Sequence, residues 1–204
     1  FLGIQVYQFL SWKDHIANIS SKIAKNIGII SRVAYLLPTN ILRNLYHTMI
    51  QPYLTYCNVV WASNYLSRLL RLTSLQNRAI RLILGTYNAH RWSYDEMYRN
   101  IGILTLRQIT SLQINEFMYK FSNNLLPPVF ASYFIRTSAI NPYNIRSSSN
   151  YRPILCRTNT CQFSIKYIGP ITWNMTPVEI RSSSNIIVFK NKYKNHLLNN
   201  PVNS

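Results

Sequence analysis

Apolar residues in this chain return at intervals of three and four over several long stretches, the spacing of amphipathic helices. Trp12, Ile16, Ile19, Ile23, Ile27 and Ile30 obey this rule, with Lys13, Lys22, Lys25 and Arg32 spread over the polar part. Ser11 stands at the N-cap and Asp14 at the capping-box position, and the pattern ends near Leu36–Pro38. Thr39 caps a second helix with Ile41, Leu42, Leu45, Tyr46, Met49 and Ile50 apolar. Pro52 lacks an amide proton and should break or kink it. The nearly uncharged stretch Tyr53–Ala62, with Trp61, reads as buried. Ser93 with Glu96 forms a second capping box, opening a short helix to about Asn100 that Gly102 ends. Thr105 with Gln108 opens another, with Leu106, Ile109, Leu112, Phe117 and Phe121 as inner positions, and Pro127 and Pro128 stop it. Val129–Phe134 reads as a last short turn.

The ends of the chain have a different texture. Phe1–Leu10 is rich in branched and aromatic residues and fits a strand or hairpin arm. From Thr137 to Thr160 the chain is rich in Ser, Asn, Thr and Pro, which predicts irregular structure. Ser164–Tyr167 reads as strand-like, Gly169–Pro170 as a turn, and Ile187–Leu198 as a basic closing helix. The expected architecture is therefore mainly α. A short strand or hairpin over 1–10 precedes a helical bundle over 11–134, and an irregular basic region over 135–204 ends in a helix.

Tyr65–Gly85, YLSRLLRLTSLQNRAIRLILG, is the most informative stretch. Wound at roughly 100° per residue, it places Leu69, Leu72, Ala79, Ile80, Ile83 and Leu84 on one side. Arg68, Arg71, Arg78 and Arg81 gather on an adjoining arc, and Gly85 suits the C′ position. Two readings of the arginine ridge are open: a solvated face, or a contact surface for an anion. No acid stands beside it to form i,i+4 pairs.

Charge shifts the balance between those readings. The 204 residues hold 22 Lys and Arg against five acids, a net +17, with 48% apolar residues. That apolar content suits a folded chain rather than a basic disordered tail. A folded body with such a field attracts polyanions, nucleic acid first and an anionic membrane surface second. The five carboxylates, Asp14, Asp95, Glu96, Glu116 and Glu179, are few for acid–base or two-metal chemistry. Asp95 and Glu96 suit the first turn of a helix better than a catalytic pair. Cys156 and Cys161 have no second close pair with which to build a zinc site. With Cys57 they also do not make a disulfide scaffold. His15, His47, His90 and His196 lack an obvious Ser or Cys partner, and no phosphate-binding glycine loop occurs. Tyr143–Arg157 interleaves cations with tyrosines, either as a nucleic-acid contact or as a solvated loop with its rings on the core. No apolar run reaches the ~18 residues of a membrane-spanning helix. The opening on Phe1, inside an apolar run, reads as a piece of a longer protein.

Several phrases together resemble the C-terminal part of reverse transcriptases of non-LTR retrotransposons, the jockey-like, LINE-type group. FLGI at Phe1–Ile4 and LSWKDHI at Leu10–Ile16 are similar to that family's FLG and L-x-W-x-x-H-I junction. LYHTMIQPYLTYCNVVW at Leu45–Trp61 resembles its stretch ending Y-g-x-x-W, and LQNRAIRLILG at Leu75–Gly85 its LQ-x-x-A-x-R-x-I-x-G. GPITWNMTPVEIR at Gly169–Arg181 is similar to GP-x-x-W-N-x-L-P, with Met175 and Thr176 departing from it. The phrases span essentially the whole chain in the family's order.

The resemblance implies that Phe1, Leu2 and Gly3 belong to the primer-grip hairpin. It implies that the helices from Trp12 to about Phe134 form the thumb and its extension, tracking an RNA template and DNA primer. Arg68, Arg71, Arg78 and Arg81 are then the expected phosphate contacts, with Lys22 and Lys25 as further candidates. The family's metal-binding aspartates precede FLG, and no adjacent Asp–Asp pair exists here. Two-metal nucleotidyl transfer requires such carboxylates. No cofactor is therefore expected in this fragment, divalent metal belongs to the missing palm, and the fragment alone is expected not to polymerise. Its partners are the nucleic acid and the upstream palm and fingers of the same polyprotein, and not a membrane. The alternatives are a stand-alone basic binding module or a remnant without function.

Overall fold

The computed structural model describes residues 3–6, 10–89, 92–139 and 149–200. Among them the chain is mainly helical, and the only strand pairing is an isolated antiparallel bridge between Arg136 and Tyr151. It divides into two compact units, one running to Ile109 and taking in Leu197 onward, the other Thr110–His196.

The first unit is built on α1 (Lys13–Val33), α2 (Thr39–Met49), α3 (Gln51–Thr55), α4 (Asn58–Trp61), α5 (Leu66–Ala89) and α6 (Tyr94–Ile101). Ile16, Ile19, Ile23, Ile27 and Ile30 are buried along one side of α1, and Leu69, Leu72, Ala79, Ile80 and Ile83 along one side of α5. These two helices pack against each other. Pro52 sits in the first turn of α3, where its missing N–H costs nothing, so the break falls at Ile50. Ser93 and Glu96 close the expected capping box on α6, and Gly102 ends that helix at φ 71°. Gly85 has positive φ (75°) as expected, but with ψ 161° it kinks α5, which regains one more turn to Ala89.

Three local expectations fail here, the first being the cap of α2: Pro38 holds that position and Thr39 is the first helical residue. No strand or hairpin forms over the described part of 1–10. Gly3 turns at φ 75°, and the Gln5 N–H donates to the His15 ring (3.4 Å) instead of a neighbouring strand. Phe1 and Leu2 lie outside the described residues. Ser11 is not the cap of α1 either. Trp12 holds that position in the left-handed region (φ 55°), while the Ser11 carbonyl accepts from Arg68.

The second unit holds most of α7 (Leu106–Ser122), α8 (Asn159–Gln162), α9 (Ile165–Met175), α10 (Val178–Arg181) and most of α11 (Ile186–Asn199). Thr105 and Gln108 exchange the expected reciprocal bonds at the start of α7. Its fully buried positions include Ile114, Met118 and Tyr119, whereas Leu112, Phe117 and Phe121 are half-buried, so a wider arc is covered than the sequence predicted. The strand expected at Ser164–Tyr167 and the turn at Gly169–Pro170 are both replaced by α9. Gly169, Pro170 and Trp173 share one buried side of it. A Cβ on Gly169 would stand 2.9 Å from the Met118 sulfur, so glycine permits this close approach. Burial of that side outweighs the one ladder bond Pro170 cannot make. Asn174 then holds the strap at Tyr151 by both main-chain groups: Tyr151 N–H donates to its Oδ1 (3.1 Å) and its Nδ2 donates to the Tyr151 carbonyl (2.8 Å).

Candidate nucleic-acid interface

The arginine ridge stands on α5, whose rotation is set by a buried glutamine. Gln76 is 1% exposed at a position that faces the core. Its Nε2 donates to the Tyr46 hydroxyl (2.8 Å) and the Leu104 carbonyl (2.9 Å), and its Oε1 accepts from the Leu106 N–H (2.9 Å). Burial raises the Tyr46 phenol far above its ordinary pKa, against the lowering effect of this hydrogen bond, so the hydroxyl stays protonated. One side chain thereby ties α5 to α2 and to the entry of α7.

With the core side fixed, the opposite side of α5 presents Arg71, Arg78 and Arg81, all exposed. At roughly 100° per residue these three fall within about 80° of one another. They project between Ser67, Leu70 and Ser74, and among the described residues none of them pairs with a carboxylate. Arg81 is steadied by Tyr94: its Nη2 donates to the phenol oxygen and its guanidinium lies 4.9 Å from the ring centroid. That contact leaves charge and several donors facing outward.

Arg68 differs from the other three. It lies near the edge of the core side and is half-buried. Its Nη1 donates to the Ser11 carbonyl (2.6 Å) and to Asn64 Oδ1 (3.4 Å), and its guanidinium stands 5.1 Å from the Tyr65 ring. This arginine joins α5 to the segment before α1, with part of its donor set consumed. Lys22 and Lys25 are exposed on α1, and the Lys22 ammonium lies 6.0 Å from the Tyr53 ring. No hydrogen bond or ring contact among the described residues joins either lysine to the arginine face. Gly3 is exposed, with open space where a Cβ would stand.

Sequence reasoning missed His15 as an organiser. It is 2% exposed, edge-on to both Trp12 and Trp61 at 6.2 and 5.6 Å between centroids. Burial, aided by the charge of Lys22, lowers its pKa. A neutral ring with the Nδ1 lone pair free accepts the Gln5 N–H. The only sequence signal was an ionisable residue within an apolar periodic run.

Among the described residues no three His, Cys, Asp or Glu side chains lie together so as to hold a metal ion. Cys156 and Cys161 are joined as a disulfide across a short loop, and Cys57 is an exposed free thiol. No described helix is long and apolar enough to cross a membrane. His90 and Arg91, like Tyr143 and Arg146, lie outside the described residues. Compared with protein-family models, with curated proteins and with solved structures, the chain has no match.

Proposed function

We propose that this chain is the thumb and post-thumb part of a non-LTR retrotransposon reverse transcriptase, and that it holds the phosphate backbone of an RNA/DNA primer–template without reading its sequence. The observation that carries the reading is the outer face of α5, where Arg71, Arg78 and Arg81 stand together, exposed and, among the described residues, without a carboxylate partner. Cations so placed exchange condensed counterions for protein contacts, which favours binding without base recognition. The order of the motif phrases supports the family assignment. So do the jobs of particular motif residues: Gln76 clamps α5, Trp61 is fully buried beside His15, and Asn174 holds Tyr151. Arg68 has the smaller part, as an anchor between α5 and the segment before α1. Polymerisation belongs to carboxylates outside this chain.

The test is hybrid-duplex affinity as a function of salt for the intact chain and for Arg71→Gln/Arg78→Gln/Arg81→Gln. Loss of three phosphate contacts makes the slope of log affinity against log salt shallower by about 2 to 3. An unchanged slope removes the ridge from the interface. The sequence encoded immediately upstream of Phe1 tests the family assignment: a catalytic aspartate pair is expected there, and its absence favours a stand-alone module or remnant.

A further inference from the structure

Besides Lys192 and Lys194 on α11, the described Lys and Arg residues of the second unit fall into two groups. Lys120 and Lys190 share Glu116, at 3.0 and 2.9 Å. Arg181 donates to Asn150 Oδ1 (3.1 Å) and is half-buried. Arg136, Arg152, Arg157 and Lys166 pair with no carboxylate among the described residues.

The fold pairs the segments of Arg136 and Arg152 and sets Arg136 and Lys166 against one aromatic row. The isolated bridge between Arg136 and Tyr151, with the Arg152 N–H donating to the Ile135 carbonyl (2.9 Å), pairs the short segments that carry Arg136 and Arg152. Arg157 follows five residues on, still exposed. The Arg136 guanidinium stands 5.6 Å from the Tyr151 ring and the Lys166 ammonium 4.2 Å from the Tyr133 ring. Tyr133, Phe134 and Tyr151 form one row, at 5.9 and 6.2 Å between centroids, so these two cations sit at opposite ends of a single aromatic platform. Phe134 and Tyr151 are buried, and the Lys166 ammonium lies against the half-buried Tyr133 ring, so the row serves to hold cations. Gathering like charges costs self-repulsion unless a polyanion relieves it.

We propose that Arg136, Arg152, Arg157 and Lys166 form a second nucleic-acid contact surface, one that grips the phosphodiester backbone and makes no base stacking. This deepens the nucleic-acid reading above and rests on it. The test compares two triple variants of the full chain with equal charge loss: Arg136→Gln/Arg152→Gln/Arg157→Gln, and Lys13→Gln/Arg32→Gln/Arg43→Gln as the control. Both go from +17 to +14, and circular dichroism checks that each is folded. If Lys166→Gln, added to the first, unfolds the protein, the triple alone carries the comparison.

For a hybrid duplex, the first triple is expected to make the salt slope shallower by about 2, and the control less than half as much. Equal losses in the two triples overturn the proposal, because bulk charge then accounts for binding. No loss in the first triple, with the α5 variant still impaired, overturns this surface alone. A wild-type chain that does not bind the hybrid overturns both readings. Anionic vesicles that bind more tightly than the hybrid and lose binding in the first triple reassign the surface to a membrane and overturn the proposal.

Discussion

Gln76→Met should be among the most damaging single changes in the first unit. Methionine nearly conserves volume, so little cavity results. The loss is polar: three hydrogen bonds of 2.8 to 2.9 Å at a site 1% exposed. A buried group stripped of its partner costs about 1–3 kcal/mol. The Tyr46 hydroxyl and the Leu104 carbonyl are both deep, so a total of about 3–5 kcal/mol is expected. Whole-domain stability is typically ~5–15 kcal/mol, so the variant should unfold at markedly lower urea.

A second substitution sharpens the argument. Tyr46→Phe alone removes one bond and costs about 1 kcal/mol. In the Gln76→Met background it deletes the stranded hydroxyl, so the double variant should be more stable than Gln76→Met by about 1 kcal/mol. Urea unfolding followed by far-UV circular dichroism reads both. Either a Gln76→Met midpoint at the wild-type value or a Tyr46→Phe that further weakens Gln76→Met refutes the clamp.

Three further outcomes are expected. His15 has a lowered pKa in the folded chain, so the unfolded chain takes up its proton first as pH falls. Stability should decline below about pH 6.5, and thermal melts of His15→Gln should lose that part of the pH dependence; an identical profile would contradict it. Gly169→Ala should cost about 1–3 kcal/mol, because the new methyl meets the Met118 sulfur at 2.9 Å inside a packed core; a neutral midpoint in denaturant would show that Met118 yields freely. Burial pushes the Glu116 carboxyl up, but the hydrogen bonds and charges of Lys190 and Lys120 win and leave its pKa lowered. Its stabilisation is therefore present above the ordinary carboxylate range and lost as pH falls through that lowered value. Glu116→Gln should be weaker at neutral pH and converge with wild type in acid, as read by melts across pH.

Two features closed within one turn were legible in the chain, although the cap expected at Ser11 did not form. The capping boxes of Ser93 with Glu96 and Thr105 with Gln108 need only residues three apart. The α9 stretch is ambiguous in sequence, because a short apolar run followed by Gly-Pro fits a strand and turn as well as a buried helix. The close approach of Met118 to Gly169 decides between them. The Cys156–Cys161 bond likewise depended on the path of the loop between them.

By itself, the amino-acid order determined that helices dominate, that α5 has an apolar side and a cationic side, and that the chain carries a net +17. These follow from periodicity and charge count, which are local or additive. Only the tertiary structure decided which arginines stay exposed. Arg68 is captured by a carbonyl 57 residues away, while Arg71, Arg78 and Arg81 stay outside because Gln76 holds the other side of the helix inward. A side chain's availability depends on partners distant in sequence, and those meet only when the chain is packed.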